Sequence, residues 1–98
     1  METTAVVFRT FKDTGEVIAL FPFEPGTNSP YTCMSYVHVG QHGAADPLLC
    51  RTGTRPSTPA ERRELAKELR RIGYKLKALT RFSRNALDIR RKKLAAIH

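Results

Sequence analysis

The stretch SYVHVGQHGAAD, residues 35–46, concentrates the side chains of this chain that could do chemistry. It carries His38 and His42 four apart, Gly40 and Gly43 three apart, and Asp46 at its end. Cys33 lies just before it, Cys50 just after, and His98 is the third histidine. A zinc site needs four tetrahedral ligands, or three and a water. His38 and His42 straddle a glycine rather than share a helix face, and no CxxC or HExxH spacing accompanies them. Strand alternation also points His38 away from Cys33. No metal site is therefore expected. Gly40 and Gly43 could let backbone N–H groups converge on an anion, but the lysine and helix of a phosphate loop do not follow. Glycines needed for positive φ in a tight turn explain the pair as well. Catalysis would require Cys33 or Ser35 to be activated by a histidine. No nucleophile elbow is present, and the acidic residues are few and mostly on loops or a helix surface, so neither an enzyme nor a cofactor is expected. The stretch reads as a shaped loop, with His38, Gln41, His42 and Asp46 as its recognition surface.

The elements around it set where it lies. TAVVFRTF (4–11) is rich in β-branched and aromatic residues and predicts a strand. KDTG (12–15) places glycine for a left-handed turn position, and EVIALFPF (16–23) predicts a second, nearly continuous apolar strand, closing a hairpin. Pro22 marks the end of ladder pairing or a bulge. EPGTNSP (24–30) is a loop by composition. YTCMSYVHV (31–39) predicts a third strand, with Cys33, Ser35, Val37 and Val39 toward the core and Thr32, Met34, Tyr36 and His38 on the other face. GQHGAADP (40–47) leaves it as a glycine-bearing loop. LLCRT (48–52) is a short fourth strand or an extended connection.

STPAERRELAKELRRIG (57–73) carries the clearest helix signals. Thr58 is the N-cap, Pro59 takes the first helical position, Glu61 completes a capping box and Gly73 supplies the stop. Leu65, Leu69 and Ile72 form its buried stripe. YKLKALT (74–80) alternates as a strand returning to the sheet, with Tyr74, Leu76 and Ala78 inward and Lys75 and Lys77 outward. RFSRNALDIRRKKLAAIH (81–98) predicts a basic amphipathic helix. The expected architecture is α+β: a small antiparallel sheet, the hairpin plus further strands, packed by one helix. A compact unit over 1–80 is followed by the basic helix of 81–98 in the same domain.

Charge is the strongest functional signal. Residues 1–50 hold two basic and five acidic side chains, a net of −3, whereas residues 51–98 hold fifteen basic and four acidic, a net of +11; together they make the formal +8. Between 70 and 93 ten basic residues face a single acid, Asp88. They are Arg70, Arg71, Lys75, Lys77, Arg81, Arg84, Arg90, Arg91, Lys92 and Lys93. Such a patch gains affinity for phosphate by releasing counterions, and arginine suits bidentate phosphate contacts. No helix-turn-helix, zinc finger or RNP motif is present, so backbone contact rather than base reading is expected.

Ninety-eight residues at 41% hydrophobic and 27% charged content fit one globular domain rather than a disordered chain. No apolar run approaches the roughly 18 residues of a membrane span. The opening METTAVVFRT lacks a basic segment followed by an apolar one, which favours the cytoplasm. Cys33 and Cys50 read as small buried hydrophobes there.

Three stretches together, VIALFP (17–22), MSYVHVGQHGAAD (34–46) and RPSTPAERRELAKELRRIGYKLK (55–77), resemble a group of small, functionally uncharacterised proteins of bacteriophages, plasmids and integrated mobile elements. The resemblance covers residues 5–95. It implies a bacterial or phage cytoplasmic origin and transfers no catalytic residues. The expected function is non-enzymatic contact with nucleic acid or a nucleoprotein complex through the cationic C-terminal third. The alternative is a protein–protein module acting on host machinery, or a homodimer, through the apolar half of the C-terminal helix. A lipid-surface role for that helix comes third, since it lacks tryptophan and its apolar half includes several alanines.

Overall fold

A computed structural model describes residues 3–37, 41–45, 52–79, 81–82 and 84–97, with the backbone alone described for Gln41, His42 and Ile97. Strands β1 (Thr4–Phe11) and β2 (Val17–Pro25) form the expected hairpin, with Val7 opposite Leu20 and Thr10 opposite Val17. Gly15 closes the turn at φ +78°, donating its N–H to the Phe11 carbonyl at 2.9 Å. β3 (Cys33–Val37) pairs antiparallel with β2, and its register shifts between Phe21 and Pro25. The irregularity begins at Pro22, which has no N–H to donate to a ladder.

β4 (Gln41–Ala45) pairs antiparallel with β3, Tyr36 opposite His42 and Ser35 opposite Gly43. The expected loop over 40–47 is thus a strand over its central part. QHGAA has neither β-branched nor aromatic residues, so its strand comes from pairing with β3 and not from propensity. β5 (Thr54–Pro56) pairs antiparallel with the end of β1. The connection expected over 48–52 lies outside the described residues except Thr52. β6 (Leu76–Leu79) runs parallel to the start of β1, Thr4 opposite Leu76 and Val7 opposite Leu79. The strand order is β4-β3-β2-β1, with β5 and β6 sharing the far edge of β1 end to end. The sheet is antiparallel apart from the β1–β6 pair.

Helix α1 (Pro59–Ile72) begins as its caps dictate. The Thr58 hydroxyl accepts the Glu61 N–H at 3.2 Å, and the Glu61 carboxylate accepts the Thr58 N–H at 2.9 Å. Arg55 on β5 grips the same carboxylate through two bonds of 2.7 and 2.6 Å, tying the helix entrance to the sheet. Gly73, at φ +126°, ends the helix, and the Tyr74 N–H returns to the Leu69 carbonyl at 3.1 Å.

Both faces of the sheet are buried. Val6, Phe8, Ala19, Phe21 and Tyr36 pack under Leu65, Ala66 and Leu69 of α1. Val7, Ile18, Leu20 and Cys33 form a second cluster, with Phe11, Val37, Ala45, Leu79 and Phe82 against it. The one-sided assignment of β3 is therefore corrected: Cys33 belongs to one core and Tyr36, 1% exposed, to the other. Ile72 is also corrected, standing 52% exposed while Ala66 takes its place in the buried stripe. Tyr74 and Leu76 face inward as expected, Tyr74 stacking on Phe21 at 5.3 Å, but Ala78 is exposed and Leu79 packs on the second cluster.

Helix α2 (Ala86–Ile97) docks along β2. Ala86 is buried, and Phe82 in the lead-in joins the second cluster. Among the described residues no helix is long and apolar enough to cross a membrane.

Candidate nucleic-acid interface

The ten basic residues of 70–93 divide into two groups. Arg90 leaves the surface altogether. Its side chain is buried, donating Nη1–H to the Pro22 carbonyl at 2.6 Å and Nε–H to the Pro30 carbonyl at 2.7 Å. The irregularity in β2 leaves the Pro22 carbonyl needing a partner away from water, and a buried carbonyl must be satisfied. The expectation that Arg90 contacts a polyanion is therefore corrected: it is a structural clamp between α2 and the sheet. Lys93 is half-buried and held to Glu24 at 2.6 Å, which neutralises much of its charge toward any other anion.

The other eight, Arg70, Arg71, Lys75, Lys77, Arg81, Arg84, Arg91 and Lys92, are exposed. Local structure explains why. Arg70 and Arg71 occupy the last turn of α1, where cations suit the helix dipole. Lys75 and Lys77 alternate outward beside Tyr74 and Leu76, which turn to the core. Arg81 and Arg84 lie between β6 and α2, and Arg91 and Lys92 on the outer side of α2. Lys77 and Lys93 line a surface groove of about 470 Å³ with Thr3, Thr4, Ala5, Phe23 and Glu24. The parallel pairing that sets Ala5 opposite Lys77 places that lysine there.

Arg91 also makes a contact that no sequence pattern signals. Its guanidinium donates to the Tyr31 hydroxyl at 3.0 Å and lies 5.7 Å from the centre of the ring; Tyr31 as a residue is 58% exposed. The two residues are 60 apart in the chain, beyond the reach of any local pairing rule.

The 35–46 stretch holds a different arrangement from the one expected. His38 and Asp46 lie outside the described residues. Gln41 and His42 stand at successive registers of β4, Gln41 across from Val37 and His42 across from Tyr36. Gly43 is a strand residue, and its position is not among those with positive φ. Successive N–H groups of an extended strand point to opposite sides, so Gly43 does not take part in an anion nest. Among the described residues, a side chain at 43 would meet the Ser35 Oγ at 3.6 Å, an ordinary contact. Among the described residues no group of three or more His, Cys, Asp or Glu gathers as metal ligands. Cys33 is buried as expected; Cys50 lies outside the described residues.

Comparison with known proteins places the chain in no group: no family model matches it, and neither a curated protein nor a solved structure is significantly similar. The resemblance to proteins of mobile elements rests on its three sequence stretches alone.

Proposed function

We propose that this protein is a non-enzymatic polyanion-binding protein of a bacteriophage or mobile element, contacting nucleic acid or a nucleoprotein complex in the bacterial cytoplasm. The observation that carries this is the exposure of eight basic residues between 70 and 93 against one acid, Asp88, after Arg90 and Lys93, engaged within the fold, are set aside. The eight come from the end of α1, β6 and the turn before it, the β6–α2 connection and α2, so the exposed cations are spread over several elements and not confined to one helix. Its chemistry suits phosphate, and no recognised base-reading motif in the sequence accompanies it.

The alternative of an apolar helical face docking on a partner loses support, because Phe82 and Ala86 are packed inside this chain. The test is binding of labelled duplex and single-stranded DNA and RNA by the full chain, read by fluorescence anisotropy. Affinity falling by orders of magnitude between about 50 and 200 mM salt supports the reading. Absence of binding at the lowest salt overturns it.

A further inference from the structure

The segment from Gly26 to Thr32 is stiffened by its own polar groups. The Thr27 and Thr32 hydroxyls are 2.8 Å apart, the Ser29 carbonyl accepts the Thr32 hydroxyl at 3.0 Å, and the Ser29 Oγ accepts the Tyr31 N–H at 3.2 Å. Two neighbouring arginines of α2 then grip adjacent residues of this segment: Arg90 holds the carbonyl of Pro30 and Arg91 the hydroxyl of Tyr31. The result is an exposed aromatic ring, fixed in place, with a guanidinium beside it and exposed Lys92 next in the chain. A flat ring flanked by a guanidinium plane is the equipment that stacks an unpaired base. Because its loop is already ordered, the ring demands little further ordering on binding.

We propose that Tyr31 and Arg91 form a stacking platform for an unpaired base of a single-stranded nucleic acid. This rests on the polyanion-binding reading and narrows it. Bases within a duplex have their faces covered by neighbours, so the platform favours single strands over duplex of equal length. The phosphates on either side of the stacked base meet Lys92 and the rest of the cationic surface.

The experiment uses the full chain with three probes: an oligothymidylate of about 12 nucleotides, a duplex of equal length, and inorganic polyphosphate. The chain has no tryptophan, Tyr36 is buried and Tyr74 is stacked on Phe21, so Tyr31 is the tyrosine most open to a stacking base, and the part of any tyrosine quenching that is lost in Tyr31→Phe reports on its ring. Oligothymidylate should quench tyrosine emission and polyphosphate should not. Tyr31→Ala should weaken oligothymidylate binding about tenfold and leave polyphosphate binding within about twofold. Tyr31→Phe, which keeps the ring, should retain both, and guards against a folding defect in the alanine variant. Equal loss for both probes, or no change for either, would overturn the platform while leaving the polyanion reading standing. Failure of the wild-type chain to bind any of the three would overturn both.

Discussion

Arg90 shows how one side chain can change its meaning between sequence and structure. Within RRKK it reads as one more cation for contacting phosphate, yet it is buried and directs its donors to two carbonyls. Arg90→Ala should therefore leave both carbonyls without that donor and destabilise the fold by about 2–3 kcal/mol. Its neighbours should behave differently: Arg91→Ala and Lys92→Ala should stay within about 0.5 kcal/mol. Urea denaturation of the three variants checks the contrast, and equal effects would show that Arg90 is not the clamp. Gly26 makes a second residue-scale prediction. A Cβ there would lie 2.6 Å from the Cys33 carbonyl oxygen and 2.8 Å from the Ala44 Cβ. Gly26→Ala should cost about 1–3 kcal/mol through backbone displacement, measurable in the same denaturation series. Glu61 supplies a pH dependence. The Arg55 hydrogen bonds, and after them the Thr58 N–H, hold its carboxyl down to about 2 from the ordinary 4.5. A carboxyl depressed in the folded state stabilises the fold above the unfolded value and loses that contribution as pH falls from 4.5 toward 2. Glu61→Gln should flatten the acid limb of stability across that window. Parallel acid limbs in variant and wild type would contradict the assignment.

Among the elements, those legible in the sequence were the ones built by local physics. The β1–β2 hairpin follows from two apolar runs and a turn glycine, and α1 from a capping box, an N-terminal proline and a C-terminal glycine. The elements hidden from it depend on distant partners. β4 has the composition of a loop and becomes a strand through β3. β5 is three residues held to β1, where Arg9 donates to Thr54 at 2.9 Å and the Thr10 and Ser57 hydroxyls meet at 2.8 Å. The basic residues of the candidate interface were visible, but which of them are engaged within the fold was not, because Pro22, Glu24 and Tyr31 lie 60 or more residues from their arginine and lysine partners. The docking of α2 carries a prediction at this scale. A chain ending before α2 loses the Arg90 clamp, so it should melt at lower temperature or lose cooperative unfolding altogether. Circular dichroism on heating reads this; an unchanged melt would mean that α2 contributes nothing to the sheet. The role of the cationic surface is accordingly tested by neutralising exposed side chains in the intact chain and not by truncation.

At the scale of the molecule, the mildly acidic first half supplies the strands β1 to β4, and the basic second half supplies α1, α2 and the strands on the far edge of β1. In the proposed reading an anionic partner meets the exposed part of the +11 excess over residues 51–98, Arg90 and Lys93 being engaged within the fold. The longest dimension is 38 Å, the rise of about 11 base pairs, so a probe of about a dozen base pairs or nucleotides spans it. The most direct measurement is the salt dependence of oligonucleotide binding by the wild-type chain and by a Lys75→Gln, Lys77→Gln, Arg81→Gln, Arg84→Gln variant. Each phosphate interaction removed should lower the slope of log affinity against log salt by about 0.7 for a single strand and about 0.9 for duplex. The account predicts a steep slope for the wild type and a clearly shallower one for the variant, with an unchanged thermal melt. Equal slopes, or no binding by the wild-type chain at about 50 mM salt, would contradict it.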